Sequence, residues 1–239
     1  MTEQEAKIPE RIMVVAAHPD DAEFGCGGTV AKWVRQGSTA YYLICTNGEK
    51  GNDDGSVTVE QLIAIRDQEQ REAAKVIGVS EVVILPRPDG ELFYSYEFRG
   101  DVVRHIRKWK PDAVFTHDPS TIINSSGFVN HADHRATGEA TIDAVYPFSR
   151  SPLQYPDQIR EGLEPHTVYD LYLWGSTPPN FWVDVSDTVD CKAEALKCHR
   201  SQFSDPERVM EFARERLRRA GEEHGVEYAE TFRKVSLRR

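Results

Sequence analysis

The tract His18-Pro19-Asp20-Asp21 sets an imidazole and two carboxylates directly after the apolar run Ile12-Met13-Val14-Val15-Ala16-Ala17. A buried strand has no need of such a cluster. In an open α/β sheet, ligands collect beyond the carboxyl ends of the strands, so this candidate for chemistry arrives with a location. His18 and Asp21 carry N and O donors of the kind a divalent cation takes, with Asp20 left off the ion. A catalytic site of this type uses a few protein ligands and keeps a position for water. The third ligand must come from elsewhere, and Asn130-His131-Ala132-Asp133-His134 offers it: two histidines at i and i+3 open an apparent helix and share one face. Taken singly, aspartates capping the next helix or histidines on a solvated face explain either motif. Together they favour a metal.

Such a site needs a frame. Apolar runs at 12–17, 40–45, 81–85 and 113–116 alternate with helical patterns, which predicts a parallel sheet covered by helices. Further strands are expected at 169–174 and 181–185. The whole of 1–239 is thus expected to form one α/β domain. Its fold class is a Rossmann-like three-layer sandwich with a mostly parallel sheet and charge-rich, helical C-terminal additions from Asp205 onward. Phe24-Gly25-Cys26-Gly27-Gly28 reads as a loop entering a helix near Thr29, where glycines let backbone approach a ligand. These glycines do not spell the dinucleotide fingerprint, which weighs against a nucleotide-binding module.

Thr58 and Gln61 are spaced as a capping box, predicting a helix over 58–77 that carries Arg66 and, one turn on, Glu69. Residues 46–51 and the pair His117-Asp118 each follow an apolar run and so belong to the same rim. Asp118 is the preferred hydrogen-bond partner for His131 or His134. Residues 120–129 border the pocket, and the proline-bearing stretch 146–166 is an excursion over the site or between subunits. Asp53 and Asp54 belong to a turn and are not metal candidates. His199 is assigned to packing or a subunit contact.

The chain has 29 basic and 39 acidic residues, a formal charge of -10, which disfavours nucleic acid as a partner. It shows neither an N-terminal apolar signal segment nor an apolar run long enough to span a bilayer, so no membrane is expected. Cys26, Cys45, Cys191 and Cys198 show no CxxC spacing, which predicts a reducing, cytoplasmic setting.

His18-Pro19-Asp20-Asp21 with His131-Ala132-Asp133-His134 resembles the LmbE-like, or PIG-L, family of zinc-dependent de-N-acetylases, which act on N-acetylated amino sugars and their conjugates. The likeness runs on through Arg66-Asp67-Gln68-Glu69, the Pro88-Asp89-Gly90 turn and a late helix over 192–202. It implies His18, Asp21 and His134 as metal ligands, Asp20 as general base, and a protonated His131 beside the oxyanion. It further implies that Arg66 and Asp89 bind the sugar, with Glu69 orienting Arg66. Zn2+ is the implied ion, and imidazole and carboxylate donors also suit Fe2+, Co2+ or Mn2+. A small N-acetylated sugar or conjugate is the implied partner, and the family's trimers and hexamers imply a homo-oligomer. The chain departs from the family in having Ala22 and then Glu23 where many members have Glu directly, leaving Glu23 only a weak supporting role. It also has Ala132 where many have Pro. Neither change removes a ligand.

Overall fold

The computed structural model describes residues 8–52, 57–123, 127, 129–176 and 178–237. Asp53 and Asp54, and part of the 120–129 loop, lie outside the described residues. In chain order the elements are β1 (Arg11–Ala16), α1 (Asp21–Arg35), β2 (Thr39–Ile44), α2 (Val59–Ile77), β3 (Glu81–Ile84), α3 (Tyr96–Trp109), β4 (Ala113–His117) and α4 (Ala132–Val145). A single 3-10 turn (Phe148–Arg150), α5 (Pro156–Arg160), β5 (Asp170–Trp174), β6 (Phe181–Asp184), α6 (Val189–Leu196), α7 (Pro206–Glu222) and β7 (Ala229–Ser236) follow.

The seven strands lie in the order β3-β2-β1-β4-β5-β7-β6. The first five are parallel, and β7 pairs antiparallel with both β5 and β6. Helices cover both faces, as the alternation of strand and helix requires. β1 is apolar along its length because it is buried on both sides, its successive residues feeding opposite cores. Ile12, Val14 and Ala16 pack with residues of α1, α2 and α6. Met13 and Val15 pack with α3 and α4. β1 pairs with β2 on one side and β4 on the other, so the strand order reverses there, and the crevice beyond their carboxyl ends is the expected ligand position.

Three expectations need correction. Residues 24–28 are not a loop: α1 begins at Asp21 and runs through them. A Cβ on Gly25 would stand 2.6 Å from the Trp174 ring, so this glycine admits a side chain rather than a ligand. The C-terminal addition is not purely helical, because after α7 the segment Ala-Glu-Thr-Phe-Arg-Lys-Val-Ser becomes β7. Its second half is solvated and charged, which hides the strand in the sequence. The 146–166 excursion packs on α3, where buried Arg107 donates to the carbonyls of Phe148, Ser151, Gln154 and Tyr155.

Candidate metal and catalytic site

β1 ends at Ala16, and the chain turns sharply enough that Asp20 adopts φ 99°, a left-handed conformation rare for a residue with a side chain. Asp20 occupies the N-cap of α1 but its side chain makes no capping bond. The plain capping explanation for this turn therefore fails for Asp20. Asp21 instead folds back: its Oδ2 accepts from the His18 backbone N–H at 2.7 Å and lies 3.2 Å from His18 Nδ1. Its Oδ1 lies 3.2 Å from His134 Nε2, delivered by the first turn of α4.

Those separations suit a common cation, since four donors about 2.0 Å from one zinc stand roughly 3.3 Å apart. His18, His131 and His134 form one group of mutually close donor atoms, and Asp21, His117 and His134 form another. Of the predicted trio, Asp21 lies beside both His18 and His134, and His18 and His134 share the first group, so the three adjoin one another with imidazole and carboxylate donors that fit Zn2+, Fe2+, Co2+ or Mn2+. The cluster also calls for positive charge. Burial works against a charged His18, yet contacts with Asp133, Asp21 and Asp89 outweigh it and push its pKa up to about 12.

Asp133, which carries no assignment from the sequence reading, is fully buried between the two motifs. It accepts from the backbone N–H groups of Gly90 at 2.7 Å and Leu92 at 3.1 Å, and its Oδ2 lies 3.1 Å from His18 Nε2. A proton on Nε2 toward Asp133 leaves Nδ1, the atom facing Asp21, as the ligating nitrogen. Its position inside His131-x-x-His134 was the available signal. Asp89 Oδ1 also lies 3.1 Å from His18 Nε2, so this predicted residue reaches the site. His18 and neighbouring Arg66 outweigh burial to hold the Asp89 carboxyl below its ordinary pKa.

Asp118 is not the hydrogen-bond partner expected, and the residue before it, His117, reaches the cluster instead. Asp118 accepts from Ser120 and Ser176, not from His131 or His134. His117 stacks on His134 with centroids 4.1 Å apart, and its Nε2 faces Asp21 Oδ2 at 3.4 Å. Trp174 Nε1–H donates to its Nδ1 at 3.1 Å, and the Ala17 backbone N–H donates to its Nε2 at 3.2 Å, which fixes the ring from both sides. Burial, together with the neighbouring histidines, holds His117 down to about 4, so it is neutral. Gly138 makes this stacking possible, because a Cβ there would stand 2.4 Å from the His117 carbonyl oxygen.

The carboxylate of Asp20 has different surroundings from its neighbour. Burial and the Asp21 charge push it up to about 6, while Arg66 pulls the other way. Arg66 does not extend an open fork toward a sugar. It is 3% exposed, donates to the carbonyls of Gly48 at 2.8 Å and Pro19 at 2.7 Å, and lies 3.5 Å from Asp20 Oδ2. Glu69 does not orient it, because Glu69 accepts from the N–H and hydroxyl of Ser201. His131, at the N-cap of α4, is exposed. Its Nδ1 accepts from the Asp133 N–H at 3.2 Å, so the neutral ring keeps its proton on Nε2. Burial and the nearby histidines lower its pKa, against the protonated form expected from the sequence. Glu23, given only a weak supporting role, is fully buried and holds both Gln70 and His199.

Residues 13–145, from β1 through α4, match the family model described as PIG-L, GlcNAc-PI de-N-acetylase. Diacetylchitobiose deacetylase of Thermococcus kodakarensis is 34% identical, over 95% of this chain and 83% of its own length. A probable N-acetyl-alpha-D-glucosaminyl L-malate deacetylase 2 of Bacillus anthracis is 30% identical, over 87% and 88%. Among solved structures, N,N'-diacetylchitobiose deacetylase from Pyrococcus horikoshii, complexed with its inhibitor MPG, matches with a TM-score of 0.88 and 35% identity, over 95% of this chain and 84% of that one. With both motifs inside the matched region and nearly the whole chain aligned, this protein belongs to the PIG-L, or LmbE-like, deacetylase family.

Proposed function

We propose that this chain is a metal-dependent hydrolase that removes the acetyl group from an N-acetylglucosamine-type sugar or sugar conjugate. The observation that carries the reading is the division of labour within one turn. Asp21 stands 3.2 Å from His18 and from His134, while Asp20 is held apart against Arg66 and pushed up to about 6. The two relatives and the solved structure named above are deacetylases of sugars or sugar conjugates, which supports the amide as the bond attacked.

His18, Asp21 and His134 would hold the cation, which when bound supplies a Lewis acid that acidifies water and polarises a carbonyl. Asp20 accepts the proton from the attacking water, as a carboxylate with a pKa nearer the working pH does well. His131 Nε2–H donates to the acetyl oxygen as negative charge develops there. The C–N bond then breaks as Asp20 returns its proton to the departing amine, and the acid product loses its remaining hydroxyl proton to solvent and leaves as acetate. Asp89, beside His18, accepts hydroxyl groups of the sugar. Arg66 holds the Asp20 turn and the Gly48 loop in place rather than gripping substrate.

The same reading carries Zn2+ as the ion, a cytoplasmic setting, 1–239 as one deacetylase unit, and self-association into a homo-oligomer, a trimer or hexamer. Among the described residues no helix is long and apolar enough to cross a membrane.

Free-amine release from a panel of N-acetylated sugars, before chelation, after it, and after zinc is restored, tests the function. Release that stops with chelation and returns with zinc is the expected result. No release from fully metallated protein on sugars of any size would overturn it.

A further inference from the structure

Gln70, on the buried face of α2, makes two bonds that each fix its amide the same way round. Its Oε1 accepts from the Asp20 backbone N–H at 3.0 Å, and its Nε2 donates to the Glu23 carboxylate at 3.1 and 3.3 Å. The first partner is only a donor and the second only an acceptor, so the amide has one satisfied orientation. Glu23 Oε2 is in turn 3.2 Å from His199 Nε2. Gln70, Glu23 and His199 are all 0% exposed. They join three helical regions: α1 contributes Glu23, α2 contributes Gln70, and His199 lies just past the end of α6.

The bond falls on the one backbone in the site that is least comfortable. Asp20 has φ 99°, and a side-chain-bearing residue stays in that region only where its surroundings over-determine it. The carboxylate projects from the same Cα, so relaxation of the backbone would redirect it. Arg66 holds the preceding carbonyl, of Pro19, and Gln70 holds the N–H of Asp20 itself, so the peptide unit between them is gripped at both ends. Burying this much polar chemistry is expensive even with Gln70 and Glu23 paired as described, the more so because His199 Nδ1 has no partner among the described residues, and nothing in hydrolysis uses these three side chains directly.

We infer that Gln70, oriented by Glu23 and His199, is a positioning residue that holds the strained Asp20 backbone so that its carboxylate faces the reacting water. This rests on the reading of Asp20 as the general base. Neither the His18 turn nor the His131-x-x-His134 helix contains Gln70, and it touches none of the proposed ligands.

The test compares zinc-loaded wild type, Gln70→Leu, Gln70→Glu and the reciprocal double variant Glu23→Gln/Gln70→Glu, with N,N'-diacetylchitobiose as the probe. Gln70→Leu removes both bonds at nearly constant volume. Gln70→Glu keeps an acceptor for Asp20 but sets two carboxylates against each other, and the double variant restores a donor and an acceptor in exchanged places. Misplacement of a reacting group costs rate far more than binding, so kcat should fall by about tenfold or more in both single variants, with KM within about twofold. Zinc content should be unchanged, and the double variant should recover most of kcat. A crystal structure of Gln70→Leu should show Asp20 out of the left-handed region.

Wild-type kcat in Gln70→Leu, or a double variant no better than Gln70→Glu, would overturn the inference. So would an Asp20 backbone unmoved in Gln70→Leu. If Asp20→Ala kept full activity, the general-base reading would fail instead. If wild type released no amine from any sugar, the hydrolase reading would fail and the crystal structure alone would decide the tether.

Discussion

Asp20 and Asp21 carry the same carboxylate in one turn beyond the end of the central strand β1, yet their neighbours give them opposite tasks. Asp21 is surrounded by His134 and His117, which outweigh its burial and hold its carboxyl well below the usual range. Asp20 meets the Asp21 charge and a buried setting, and rises. The types and order of His18, Asp20, Asp21, His131 and His134 were legible because chemistry of this kind needs few residues, and each motif is short. Asp133 was overlooked although it sits in the second motif, since its work depends on Gly90, Leu92 and His18 arriving from elsewhere. Gln70 left no local mark, His199 was read as packing or a subunit contact, and Arg66 looked like a substrate fork because its carbonyl partners lie 18 and 47 residues away. Asp133→Ala should weaken metal binding by about 10- to 100-fold, as loss of a partner that orients a ligating histidine does. Competition with a chelating dye would measure it, and unchanged affinity would return Asp133 to a purely structural role.

At the scale of elements, the site is the meeting of two strand ends and one helix start. β1 delivers the His18 turn, β4 delivers His117, and α4 begins where His131 and His134 must point. The strands and α2 were legible from apolar runs and from Thr58 with Gln61, whose capping box is present in full. α1 was placed too late because its glycines read as loop, when Gly25 leaves room for Trp174. β7 was missed because only its first half alternates into the core, while Arg233 and Lys234 announce a solvated tail. The close approach of α4 to β4 rests on Gly138, where an added Cβ would strike the His117 carbonyl. Gly138→Ala should therefore cost about 1–3 kcal/mol of stability, the usual range for overpacking, and lower metal affinity at the same time. Denaturant melts and metal titration would show both. A stable variant with native affinity would mean that the α4 start does not set the site.

Across the whole molecule, the C-terminal segment is tied to the catalytic helix through a buried ion pair. Glu230 on β7 accepts from Lys192 at 2.6 Å and from the N–H groups of Gly28 and Thr29 in α1, while Lys192 also donates to the Phe24 carbonyl. Both side chains are almost fully buried. Removing one member leaves the other charged and unpaired, so Glu230→Ala should destabilise the fold by about 3–5 kcal/mol. Equilibrium unfolding would detect this, and a loss under about 1 kcal/mol would show that solvent reaches the pair. Net charge and length bounded the class of protein but said nothing of this tie, which joins residues 202 apart. The site divides its work between a metal-holding set and a separate base. Bound zinc and acetyl release measured together in Asp20→Ala and His134→Ala separate the two roles. Asp20→Ala should keep its zinc and lose turnover by at least about a hundredfold, while His134→Ala should lose both. Equal zinc loss in the two variants, or sustained turnover in Asp20→Ala, would show that no such division exists.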